Sequence, residues 1–549
     1  MQNPVDKKPA DNRNLMIALL LSALVLVGYD YLRLRFSPPA EQTQETVQQA
    51  PAAAAPGAPT LNGDLSAVSS LSATPAGDVP HIGIKSSTFE GTLSLKGGRI
   101  DSLKLPDYKV SLKDQTPVTM FTTTGERVEF FEAGWLSDVT AAPNSDTVWS
   151  AGESDVLNSL TPDTPVTLTW DNGKGQVFQR SYILDAGSHT IRIIDGVTNQ
   201  AEHPVRLAHY AQLHRAGYNK RESTFYNFNG LQAFFDSKHL THSYEDIAKK
   251  GPFRESGRQG WVGVSDPYFL SALLPDQTNT QTAVFRNTKT AGADFYTLDL
   301  QGPAVVVEPG QYVENAYRLY VGPKKFSFLS AEKVGLDQVI DYGWYHIIAK
   351  MFFDALKGLH SVVGNWGVSI IIMTFILKLV MFPLATKSYR SMSEMKKLQP
   401  KMEQLRERYG EDREKLAQEM MALYRHHRIN PMSGCWPMLI QIPIFFAFYK
   451  VILISFEFRQ APFVGWIHDL SVSDPYFVLP ILMGLTMIVQ QRLNPPAADP
   501  VQQKVLQFMP VMFTFMFLWF PAGLVLYWTT NSILSVSQQW WIMRRMGVK

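Results

Sequence analysis

The chain has 549 residues, a net charge of +2 and a mean hydropathy of -0.08, but these averages hide a segregation. Apolar runs lie at the extreme N-terminus and beyond about residue 360, and the middle is polar. The single cysteine, Cys435, excludes an intrachain disulfide and a cysteine metal cluster. Residues 386–433 carry 11 Lys and Arg against 7 Asp and Glu, and Arg544, Arg545 and Lys549 follow in the tail. Basic charge next to apolar segments reports topology rather than nucleic-acid readout.

The first apolar run is Leu15–Val27, flanked by Lys7, Lys8 and Arg13 before it and by Arg33 and Arg35 after it. Gly28-Tyr-Asp-Tyr31 follows where a cleavage site needs small residues, so 1–36 is expected to be an uncleaved signal anchor. Residues 37–80, rich in Ala, Pro, Gln, Ser and Thr, are too poor in large apolar side chains to fold and read as a linker.

Residues 81–335 read as strands and turns. Val166-Thr-Leu-Thr-Trp170 alternates with period two, Asp171-Asn-Gly173 offers a hairpin turn, and Val177–Leu184 resumes extended character. Thr190–Val197, Ala304–Val307 and Tyr312–Val321 are similar, so a large β-sandwich is predicted. From 336 to 361 apolar residues recur at helical spacing (Val339, Ile340, Trp344, Ile347, Ile348, Met351) with charged residues between them. This predicts an amphipathic helix, lying in a membrane interface or on the surface of the β-domain.

Five apolar segments follow, at about 362–385, 434–456, 476–492, 505–520 and 522–542, each near the roughly 20 residues a bilayer requires. With the anchor they make six spans. The basic loop 386–433 and the basic tail belong in the cytoplasm, and the loop 457–475, whose only cation is Arg459, belongs outside. The β-domain is then also outside and both termini are inside, an arrangement that fits a bacterial inner membrane with a periplasmic domain. Within the cytoplasmic loop, 386–430 reads as a helical hairpin with its turn at Tyr409-Gly-Glu-Asp412 and a break at Pro400. The alternating charges suit a solvated hairpin or a docking arm.

Lys378 lies deep in the second span, and no Asp or Glu occurs in the apolar stretches of the other spans. Burying its ammonium costs about 2.5–3.5 kcal/mol at a helix centre, so it must snorkel or stand in water. Polar groups available to line a hydrated cavity are Thr374, Gln441, Thr486, the run Thr529-Thr-Asn531-Ser and Ser535. Such a cavity would attract an acidic or polar segment and shorten the apolar barrier it must cross. Phe445 and Phe448 in the third span, and Met512 and Phe513 in the fifth, suit either lipid contact or re-packing against varied apolar partners. Phosphate-binding, zinc-protease and serine-nucleophile motifs are missing from the sequence, so no enzyme, metal or cofactor chemistry is expected. A secondary transporter remains the alternative, although it normally needs intramembrane carboxylates or histidines.

Several long motifs in order resemble the YidC membrane protein insertase family: Gly364-Asn-Trp-Gly-Val-Ser-Ile-Ile, Asn430-Pro-Met-Ser-Gly-Cys-Trp-Pro, Trp466-Ile-His-Asp-Leu-Ser, Asp474-Pro-Tyr-Phe-Val-Leu-Pro and Leu518-Trp-Phe-Pro-Ala-Gly-Leu. The resemblance implies that 362–549 is a five-span insertase core and that the outer domain is a β-supersandwich. It implies an insertase and chaperone for nascent inner-membrane proteins, acting alone or with the Sec translocon, without ATP. A hydrophilic groove open to cytoplasm and lipid would do the work, with Lys378 where the family usually has arginine. By the same resemblance Thr374 and Gln441 match groove positions, and Tyr527 and Trp528 match substrate-contacting ones. Ribosome contact, where it occurs, would rest on the cytoplasmic loops and the short basic end, and membrane lipids are the remaining partner.

Overall fold

The protein is described here by a computed structural model, in which residues 79–152, 159–217, 228–290, 293–409, 412–427, 436–494 and 500–547 are described. The expected anchor, 1–36, and all of the expected linker but its last two residues lie outside them. The chain divides into two compact units, and 60–495 with 510–549 form the larger.

Two nine-stranded sheets build the β-domain. The first centres on Val128–Ser137, Val205–Ala216 and Ala293–Val307, and the second on Gly260–Ser265, Phe269–Leu274, Tyr312–Pro323 and Thr190–Asn199, all antiparallel to their neighbours. The predicted hairpin is present, with Val166 and Leu168 buried and Thr167 exposed. Its connection is longer than two residues, because Asn172 Oδ1 accepts the N–H groups of Lys174 and Gln176, while Gly173 and Gly175 take positive φ. Leu207, Ala211 and Leu213 from the first sheet meet Ile191, Ile193 and Leu319 from the second in one apolar core. Among the described residues two short helices, α1 (Tyr244–Lys250) and α2 (Phe326–Ala331), accompany the sheets.

The amphipathic helix begins later than the pattern from residue 336 predicts. Leu336–Val339 and Gly343–Tyr345 are 3-10 turns, with Gly335 and Gly343 at φ +72° and +63°, and only then does α3 (His346–Val363) run. Glycines in the left-handed region cannot continue an α-helix, so the apolar spacing there serves two turns instead. α3 buries Ala349, Phe352, Phe353 and Leu356 and leaves Ile347 and Met351 exposed.

Among the described residues seven helices follow: α4 (Trp366–Lys397), α5 (Gln399–Tyr409), α6 (Arg413–His426), α7 (Trp436–Ile454), α8 (Val478–Leu493), α9 (Pro500–Phe517) and α10 (Ala522–Arg545). Among the described residues, α4 alone is both long and apolar enough to cross a bilayer by itself; Ile440–Ile454 and Val478–Leu493 are shorter apolar stretches. The break expected at Pro400 falls two residues earlier, at Leu398, so the proline sits in the first turn of α5 where its missing N–H costs nothing. Asp412 caps α6, accepting from Lys415 N at 3.0 Å.

The motif residues have structural work of their own. Gly364 ends α3 at φ +69°, and Asn365 caps α4 through Val368 N at 3.0 Å while its amide donates to Phe463 O at 2.9 Å. A Cβ on Gly367 would lie 2.1 Å from the Phe463 ring. Asp474 is fully buried and accepts from Trp466 Nε1, Tyr476 N and Leu479 N, which ties the loop to the start of α8. Ala522 N and Gly523 N donate to Val472 O and Leu470 O, so the same loop also fixes the start of α10.

Candidate functional site

Helical periodicity assembles the site. On α4, Thr374, Lys378, Met381, Ala385 and Tyr389 recur at intervals of three and four and form one stripe. On α10, Tyr527, Asn531 and Ser535 do the same. Gln441 and Ile444 of α7 face them, and the three helices line one narrow pocket with a water-accessible volume of about 30 Å³. Lys378, Thr374, Gln441, Asn531 and Tyr527 all line it, so five residues singled out in the sequence meet in one place.

The polar contacts are few and directed. Lys378 Nζ donates to Ser535 Oγ at 2.7 Å, and among the described residues no carboxylate pairs with it. Gln441 Nε2 donates to the Tyr527 hydroxyl. Thr374 Oγ1 donates to Ile370 O at 2.7 Å, within its own helix. Apolar side chains separate the polar groups on α4 and α7, namely Leu377, Met381, Leu384 and Ile444. The result is an amphipathic trough with one fixed cation and several hydrogen-bonding groups. Its polar groups can exchange hydrogen bonds with a polar solute, and its cation favours an acidic one.

Two expected site residues stand elsewhere. Thr529 lies about 200° around α10 from Tyr527; it is buried, and its hydroxyl has no partner among the described residues. It does not line the groove. Phe448 has no exposed surface: its ring stacks on Tyr527 at 4.4 Å and meets Phe352 at 5.5 Å. It lies two turns beyond Gln441 on the same stripe of α7, where the Tyr527 ring already closes the space, so it backs the groove and offers no surface to a guest.

The remaining aromatic residues form a separate layer. Trp528 meets Phe445 at 4.8 Å, Phe517 at 5.6 Å and Phe513 at 6.5 Å, and Met512 is exposed beside them. Being one residue on from Tyr527, Trp528 turns about 100° away from the groove. The sequence reading missed Tyr389 and the apolar lining residues. The signal was present as the continuation of the Thr374–Lys378 stripe past Pro383, an internal proline that α4 accommodates.

Comparison with known proteins places these features in a family. The family described as 60Kd inner membrane protein matches residues 358–549, and the YidC periplasmic domain matches 81–355. The membrane protein insertase YidC of Magnetococcus marinus is 37% identical over 559 aligned positions, covering 97% of this chain and 99% of that relative. That of Methylobacterium nodulans is 37% identical, covering 98% of this chain and 96% of its own length. A solved active YidC insertase with its first transmembrane domain resolved is 16% identical, with a TM-score of 0.37, over 84% of this chain and 92% of the other. Identity at this level along nearly the whole length, through both the β-domain and the helices, shows that the chain belongs to the YidC membrane protein insertase family.

Proposed function

We propose that this chain inserts and helps fold nascent inner-membrane proteins, alone or beside the Sec translocon, by admitting a polar segment into the groove around Lys378. The observation that carries the reading is the lone cation among Thr374, Gln441, Asn531 and Tyr527, held by a serine rather than neutralised by an acid. A guest's acidic or polar residues exchange water for these groups and then have less of the bilayer to cross. Its apolar residues pass to lipid beside the exposed Phe375, Leu379 and Val380 of α4.

In this reading six spans cross the inner membrane: the N-terminal anchor, α4, α7, α8, α9 and α10. The β-domain is periplasmic and both ends of the chain are cytoplasmic. α5 and α6 then extend into the cytoplasm, where they can meet a translating ribosome. The test is depletion of the protein in its host, followed by protease protection of short inner-membrane proteins. Their translocated ends should remain inaccessible from the periplasm until the wild-type gene is restored; unchanged insertion overturns the proposal.

A further inference from the structure

The last two turns of α10 carry two tryptophans and two arginines in register. The Arg545 guanidinium lies 4.0 Å from the Trp541 ring centroid, and that of Arg544 lies 5.4 Å from Trp540. Both rings remain open, Trp540 at 52% and Trp541 at 41% exposure. On α4, Phe382 meets Trp541 at 6.5 Å, and Gln538 Nε2 donates at 3.2 Å to both Phe382 O and Thr386 Oγ1, which ties the two helices together at this level. Arg390 continues the Phe382–Thr386 stripe at the next four-residue step and is exposed.

No Asp or Glu occurs anywhere in 500–549. Among the described residues, none of Arg390, Arg544 and Arg545 forms an ion pair, although the exposed Glu394 lies one turn beyond Arg390. Unpaired cations normally spread into solvent, yet Arg544 and Arg545 are held over aromatic faces. Stacking uses the flat face of a guanidinium and leaves its N–H edge free for a bidentate acceptor.

Arg390 lies 24 residues after Trp366, about 36 Å along α4, and Arg545 lies 23 residues after Ala522, about 35 Å along α10. A hydrocarbon core is about 30 Å thick, so both reach the headgroup layer at the same end of the bundle. Tryptophans favour that layer. We propose that Arg390, Arg544 and Arg545, with Trp540 and Trp541, form a binding site for the headgroup phosphate of an acidic phospholipid. The inference rests on the membrane arrangement proposed above. The site lies ten residues, about 15 Å, beyond Ser535 on α10, so the lipid stands beside the groove and not in it.

The test uses the full chain purified in a neutral detergent and titrated separately with phosphatidylglycerol, phosphatidylcholine and inorganic phosphate, with bound lipid read by native mass spectrometry. Phosphatidylglycerol should be retained several-fold over phosphatidylcholine, and millimolar phosphate should not displace it. The Arg390→Gln/Arg544→Gln/Arg545→Gln variant should lose the preference. Arg545→Lys should keep part of it, because the charge survives without the planar fork. If the triple variant fails to fold, Arg545→Gln alone carries the comparison. Equal retention of the two lipids, or an unchanged preference in the variants, overturns the site. So does a variant that keeps its lipid preference but no longer co-sediments with ribosomes, since the arginines would then face nucleic acid. Insertion plays no part in the readout, so a defect in the groove mechanism leaves this result unaffected.

Discussion

Lys378 Nζ donates to Ser535 Oγ at 2.7 Å, and Ser535 Oγ donates in turn to Asn531 O at 2.7 Å. The cation of α4 is thus anchored to the backbone of α10 through a neutral relay. A hydroxyl fixes the ammonium in place but does not cancel its charge, so the field remains available to a guest. Lys378→Arg should retain insertion, because the charge survives and the longer donor can reach the same serine. Lys378→Glu should reduce insertion of substrates with acidic translocated ends by at least about tenfold, equivalent to ~1.4 kcal/mol. Protease protection at matched protein levels reads the difference, and equal activity of the two variants would remove the charge from the mechanism.

Tyr527 joins two functions that substitution can separate. Its hydroxyl accepts from Gln441, and its ring stacks on Phe448 with an interplanar angle of 12°. Tyr527→Phe keeps the stack and loses one hydrogen bond, a change of about 1 kcal/mol. Tyr527→Ala opens a cavity against Phe448 and should cost about 3–5 kcal/mol. Thermal unfolding of the purified chain should therefore show a small shift for the first variant and a large one for the second.

Those two residues also show how far the sequence could be read. Lys378, Thr374, Gln441 and Asn531 are legible because each is a polar group out of place in an apolar helix, whereas Tyr527 is reached only through the resemblance to the family. Thr529 looked equivalent, and only the rotation between 527, 529 and 531 separates it from the groove. Phe448 suits lipid or a guest equally in the sequence, because composition does not show which aromatic residue another has already covered. In the β-domain the alternation of Val166–Trp170 was visible locally. The fully buried Arg180–Asp195–His209 cluster was not, because its members come from three different strands and each looks like an ordinary surface residue in its own segment. The turns at Gly335 and Gly343 were hidden by apolar spacing that suited a helix equally well.

The segment following α7 predicts a mechanical link to the β-domain. Phe456 enters an aromatic pocket, 5.4 Å from Tyr108 and 5.5 Å from Phe269. Arg459 donates to Lys109 O at 2.6 Å and Val110 O at 3.0 Å, and Gln460 donates to Lys109 O at 3.0 Å. Phe456→Ala should destabilise this junction by about 3–5 kcal/mol. Hydrogen exchange should then quicken at 455–460 and at 108–110, while the central strands Val205–Ala216 and Ala293–Val307 keep their protection. Uniform loss of protection would mean that Phe456 supports the whole β-domain and not the junction.

Acid should undo the β-domain in a defined window. Burial works against the charged forms of Glu132, Asp195 and Asp266, but their hydrogen-bonding and charged partners outweigh it: His214 and Arg99 for Glu132, Arg180 and His209 for Asp195, Arg215 and Arg127 for Asp266. Each carboxyl is held at about 2, below its ordinary 4.5 or 3.8. A carboxylate whose pKa is lower in the folded state contributes stability above its unfolded pKa and loses it as pH falls through the folded one. The domain should therefore be stable at pH 5 and weaken progressively from about pH 4 toward pH 2. Trp149, 5.0 Å from the Arg180 guanidinium, is a natural fluorescence reporter of that step. Asp195→Asn should flatten the acid transition yet cost about 3–5 kcal/mol at neutral pH, because it leaves the fully buried Arg180 without its counter-charge. A variant as stable as the parent at pH 7 would show that Arg180 is satisfied by Gly97 O and Trp149 without the carboxylate.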